Sequence, residues 1–134
     1  MSHFTRVRTT LRDPQLLETA LQAVGYARVE VHDTPQRLNG WAGQSAGAEV
    51  IVRREHAIGH VYGDFGFARG ADGAFVAVID DLDRARNGAD WLPSLTRAYG
   101  HAAALKYAND HGFEVVTDEE EQDGTRRLTL RRHT

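Results

Sequence analysis

The chain has 134 residues, a formal net charge of −3 and no cysteine. The length suits a single domain spanning residues 1–134 with a core of its own. The missing cysteines exclude disulfides, thiolate metal sites and cysteine nucleophiles, and they fit a reducing, cytoplasmic setting. The acidic balance argues against non-specific nucleic-acid binding, and no stretch approaches the ~18 apolar residues of a membrane span.

Residues 3–11 alternate, with Phe4, Arg6, Arg8 and Thr10 on one side and Thr5, Val7, Thr9 and Leu11 on the other. That is the period of a strand. The opening Met1–Arg6 has no apolar run behind it, so it is not read as a secretory signal. Asp13-Pro14 reads as an N-cap followed by proline at the first helical position. Leu16, Leu17, Ala20, Leu21 and Val24 recur at helical spacing, and Gly25 stands where a C-cap belongs. A strand over 27–32 follows.

Residues 33–48 are rich in turn formers. Strands are expected over 48–53, 63–68 and 74–79, the last two joined by the hairpin signal Asp72-Gly73; residues 54–62 fit no element clearly. Asp80-Asp81-Leu82-Asp83 reads as a turn. A second helix is expected over about 90–110, with Asp90 as its N-cap and Trp91, Leu95, Ala98, Ala102 and Leu105 facing inward. Strands over 114–117 and 126–131 close the chain around Asp123-Gly124.

Two stretches look alike. Val24-Gly25-Tyr26 leads from a helix into Val29-Glu30-Val31, and His111-Gly112-Phe113 leads from a helix into Glu114-Val115-Val116. Each glycine suits a left-handed cap and each aromatic a contact back onto its helix. The pattern predicts an α+β domain: an antiparallel-rich mixed sheet of about six or seven strands, two helices on one face, ferredoxin-like, with pseudo-repeated β-α-β units.

The order and spacing of several short motifs resemble a known family. They are Met1-Ser2-His3-Phe4, Gly25-Tyr26, Leu38-Asn39-Gly40-Trp41-Ala42-Gly43-Gln44, the strand Ala48–Arg53, Asp64-Phe65-Gly66-Phe67, Asp80-Asp81-Leu82, Arg97 with His101, and Gly112-Phe113. The chain is similar over nearly its whole length to the uncharacterised family of the thirty-fifth hypothetical chloroplast reading frame of plastids and cyanobacteria. On the second helix it departs: where that family tends to run Arg-Tyr-Ala-Tyr-His, this chain has Arg97-Ala98-Tyr99-Gly100-His101. The resemblance carries no activity. The placing of some members near AAA-type ATPases implies an accessory role.

Several clusters are candidate sites. His56 and His60 have the i, i+4 spacing of a helical metal pair but not the His-Glu-x-x-His order. If extended they lie about 13 Å apart, too far for one zinc. Asp80, Asp81 and Asp83 gather at a strand end, and the Asp118–Glu121 run reads as a charged hairpin arm. The glycines of the Gly40–Gly47 loop would let a backbone approach a ligand, with Trp41 stacking and Gln44 hydrogen-bonding; pinning of Trp41 into the core is the competing reading. Arg97 and His101, one turn apart, share a flank with Tyr99 and suit an anion or a partner's acidic groups. Phe65 and Phe67 share a face and would either stack bases or line the core.

No catalytic motif is complete, and no metal or cofactor is implied. The expectation is a non-enzymatic accessory or adaptor protein acting through protein–protein contacts, with an AAA-type ATPase as a candidate partner and a homo-oligomer as a candidate state. Trp41, Gln44, Arg97, Tyr99 and His101 are its candidate binding residues. The alternatives are a small-molecule or nucleotide-binding domain using Gly40–Gly47, and a metal-dependent enzyme using His56, His60 or His101 with Asp80–Asp83.

Overall fold

The computed structural model describes residues 3–40, 43, 45–59 and 62–132. The elements run β1 (Phe4–Arg8), α1 (Pro14–Ala23), β2 (Glu30–Asn39), β3 (Ser45–Val52), a 3₁₀ turn (Arg54–His56), β4 (Phe65–Arg69), β5 (Phe75–Asp80), α2 (Asp81–Asn87), α3 (Trp91–Asp110), β6 (Phe113–Glu120) and β7 (Arg126–Arg132). None of the described helices is long and apolar enough to cross a membrane.

Alternation in β1 sets its two faces as the sequence implies. Val7 pairs with Ala77, which pairs with Phe67, which pairs with Val50, and this row packs under the helices. One residue along, Arg6, Val78, Gly66 and Ile51 form the row on the opposite face. The helix side holds the larger core, with Leu17, Leu21, Phe65, Phe67, Phe75 and Leu95 all buried. Phe65 and Phe67 are therefore core residues. Phe65 meets Tyr26 and Trp91 edge-on at centroid distances of 5.1 and 5.3 Å, and the Trp91 indole N–H donates to the Tyr26 hydroxyl at 2.8 Å.

Asp13 caps α1 as expected, its Oδ1 accepting from the N–H groups of Gln15 and Leu16, with Pro14 first in the helix. Asp90 is the N-cap residue of α3 as expected, its carbonyl accepting from the Ser94 N–H at 2.9 Å, but its side chain makes no capping bond. The α3 origin is held instead by the Trp91 contacts. Asp80–Asp83 is not a simple turn: Asp80 accepts from the Leu82 N–H and opens α2.

The strand order is β1-β5-β4-β3-β2, antiparallel throughout, with β6-β7 as a separate pair. The mixed α+β architecture and the seven strands are as expected, but one continuous sheet of six or seven is not. The β1-α1-β2 unit crosses from one edge of the sheet to the other. The expected second unit does not close, because β6 never joins the strands that precede α3. Its residues explain why. After Phe113, β6 reads Glu-Val-Val-Thr-Asp-Glu-Glu and is exposed throughout, so neither face could be buried in a packed sheet. The ferredoxin-like arrangement fails with it, and the described residues form three α-helices rather than two.

Residues 33–48, expected to be turns, carry most of the β2–β3 hairpin. Pro35 falls within the irregularity between Val31 and Gln36, where the register shifts and no ladder N–H is required. Beyond it the hairpin folds onto β4, and Leu38 and Ala48 close over Gly66. A Cβ at Gly66 would lie 2.6 Å from the Val50 carbonyl oxygen and 2.8 Å from the Ala48 Cβ. Only glycine fits where backbone and hairpin approach this closely.

Candidate functional site

Of the five binding residues expected from the sequence, Trp41 and Gln44 lie outside the described residues, as does His60. The described flank of their loop is anchored: the Asp64 N–H donates to the Asn39 carbonyl at 2.9 Å. The other three residues divide. The Tyr99 hydroxyl accepts from the backbone N–H groups of Asp13 at 2.9 Å and Arg12 at 3.3 Å, so Tyr99 braces the start of α1. Arg97 and His101 face the β6–β7 hairpin instead.

His101 bonds Asp118 of β6 through Nε2 at 2.8 Å, and Arg126 of β7 approaches the other oxygen of the same carboxylate at 3.6 Å. One carboxylate thus bridges α3 to both strands. Arg97 donates to the Ser94 hydroxyl at 3.1 Å and lies across the Asp123-Gly124 turn, where Gly124 has a positive φ of 86°. A Cβ on Gly124 would sit 3.0 Å from the Arg97 Nε. Arg97 takes part in no ion pair within 4 Å among the described residues. Between helix and hairpin runs a trough of ≈ 450 Å³, floored by Gly100, Ala104 and Leu128 and edged by Arg97, His101 and Arg126. A second concavity of ≈ 240 Å³ continues it past Arg97 toward Ser94 and Val24.

A charged network lies elsewhere and was not singled out from the sequence. Arg53 holds Glu30 with a two-pronged bond, Nε to Oε2 at 2.8 Å and Nη2 to Oε1 at 3.1 Å, while His32 Nε2 meets Oε1 at 2.8 Å. Its Nη1 donates to the Arg37 carbonyl and to Asp64, which is only 5% exposed. Asp64 also accepts from the N–H groups of Asn39 and Arg54, both at 2.8 Å. Hydrogen bonding to the Arg53 guanidinium holds the Glu30 carboxyl below the usual glutamate range, and Glu30 in turn raises Arg53. These residues stand far apart in sequence with ordinary strand spacing, so no motif could have grouped them.

The Asp80–Asp83 cluster also acts on backbone. Asp83 is fully buried and accepts from the N–H groups of Tyr62 and Gly63, and Asp81 accepts from that of His3. His56 ends the 3₁₀ turn. Among the described residues, no group of three or more histidines and carboxylates is placed to hold a metal ion.

Comparison with known proteins agrees with the resemblance seen in the sequence. The uncharacterised protein ycf35 of Guillardia theta is 27% identical over 133 residues, covering 98% of both chains. Its namesake from Cyanophora paradoxa is 24% identical over the same share. No solved structure matches the chain significantly. A family model described as a protein of unknown function, DUF1257, matches residues 20–129, and the chain belongs to that family.

Proposed function

We propose that this protein is a non-enzymatic accessory or adaptor that acts through protein–protein contacts made by α3 and the β6–β7 hairpin. The observation that carries the reading is the exposed apolar surface of this arm. Val116 is 50% exposed and Tyr107 56%, and Val115 and Leu130 are each 37% exposed on one cross-strand pair. A two-stranded hairpin gains little stability on its own, and side chains of this kind on such a hairpin suit a surface completed by a partner. The partner class that the family resemblance suggests is an AAA-type ATPase.

The test titrates the purified protein against AAA-type ATPases from its own source, by mass photometry and biolayer interferometry. A stable complex is expected, weakened about tenfold or more by Val116→Glu, a change at an exposed position that leaves the core untouched. No complex at micromolar concentration, or equal binding by the variant, overturns the reading.

A further inference from the structure

The trough between α3 and the hairpin has a composition that says what it takes. At its wider end the lining holds two guanidinium-bearing side chains, Arg97 and Arg126, together with His101, and no carboxylate; the narrower continuation past Arg97 adds one, Glu120. Asp118, which accepts from His101 and approaches Arg126, lies outside that lining and compensates those two groups from below. Arg97 keeps donors to spare: its side-chain hydrogen bond goes to the neutral Ser94 hydroxyl, and the exposed Asp123 carboxylate acts on it through space. An arginine fork with free N–H groups suits a carboxylate. The floor is apolar and open: Gly100 is exposed and a Cβ built on it would meet nothing within 4 Å.

The shape decides between kinds of occupant. The two concavities share Arg97, His101, Gly124 and Arg126 and reach from Ser94 to Ala104 along the helix. At about 1.5 Å per residue that is roughly 15 Å, the span of four to five extended residues at about 3.3 Å each. A long, open channel of this kind suits an extended chain, whereas small-molecule sites enclose most of their ligand. We infer that the α3–hairpin trough binds an extended acidic segment of a partner protein, with a carboxylate on Arg97 and an apolar side chain over Gly100, Ala104 and Leu128.

This inference rests on the reading of the protein as a partner-binding one, but it is tested without the partner. The probe is a fluorescein-labelled peptide whose central residues run Glu-Leu-Glu-Leu-Glu, followed by anisotropy at low salt with the full chain. Binding is expected to weaken about tenfold or more in Arg97→Ala and when the probe's glutamates are replaced by glutamine. Gly100→Leu fills the floor at an open helical position where leucine is a better helix former than glycine, so it folds and is expected to lose the probe. Arg97→Glu is expected to bind the matching Lys-Leu-Lys-Leu-Lys peptide instead. Unchanged binding by Gly100→Leu overturns the proposal. So does displacement of the probe by equimolar inorganic phosphate, which would mark a simple anion site, and so does concentration-dependent self-association abolished by Arg97→Ala, which would make a second copy the occupant. Partner binding that survives Gly100→Leu while the probe does not bind at all would sink the trough and leave the accessory function standing.

Discussion

The five-stranded sheet and the α3–hairpin arm are built on opposite terms. In the sheet, one carboxylate is buried and answered several times over: Asp64 accepts from two backbone N–H groups and a guanidinium. In the arm, apart from the Asp118 bridge, charge is exposed and paired singly. Arg127 meets Glu121 at 2.8 Å and Arg131 meets Glu114 at 2.6 Å, all four more than a third exposed. Buried carboxylates here fix the course of the backbone. Exposed pairs of the arm's kind are worth about 0–1 kcal/mol each and weaken with salt. A rigid body thus carries an element that is cheap to rearrange, a division typical of binding surfaces.

The largest effect that separates the two regions should come from Asp64→Ala. It strands the Asn39 and Arg54 N–H groups and leaves Arg53 short of a partner, which should cost about 3–5 kcal/mol in chemical denaturation. A loss below about 1 kcal/mol would mean that the network is dispensable. Gly66→Ala should come next. Its methyl cannot fit against the Val50 carbonyl and Ala48 unless the outer half of the β2–β3 hairpin lifts, an overpacking cost of about 1–3 kcal/mol. Retained stability, with unchanged amide exchange at Leu38, would show that the hairpin lies on the sheet more loosely than its contacts imply. Asp118→Asn should have the smallest effect, under about 1 kcal/mol globally. Hydrogen exchange should nonetheless quicken over residues 113–132 alone. Spread of that change into β3 or β4 would erase the distinction between body and arm.

Much of the body could be read in advance because periodicity reports burial. The alternation of residues 3–11 gave β1 both of its faces, and Leu17, Leu21 and Leu95 fell where helical spacing placed them. What was hidden has local causes. The outer β2–β3 hairpin is written in turn formers, and Pro35 argues against a strand until a bulge excuses it. Glycine at 66 signals a close approach without naming what approaches. The glycine–aromatic repeat was correct as punctuation, since Gly25 and Gly112 both take positive φ. It misled as topology, because a cap says how a helix ends and nothing about which sheet receives the next strand. Arg97 and His101 could be paired by their spacing, but their partner Asp118 is set by how the hairpin docks.

The antiparallel pairing of β1 with β5 has a consequence in time. Its register, from Phe4 opposite Asp80 to Arg8 opposite Val76, joins segments about 70 residues apart. During synthesis the first strand must therefore wait, unpaired, until the fifth has left the ribosome. Closing so long a loop is entropically demanding and slows folding. The contacts within the β2–β3 hairpin and between β4 and β5 are local by comparison. The nascent chain is thus expected to assemble a meander of β2 to β5 first and to accept its own beginning last.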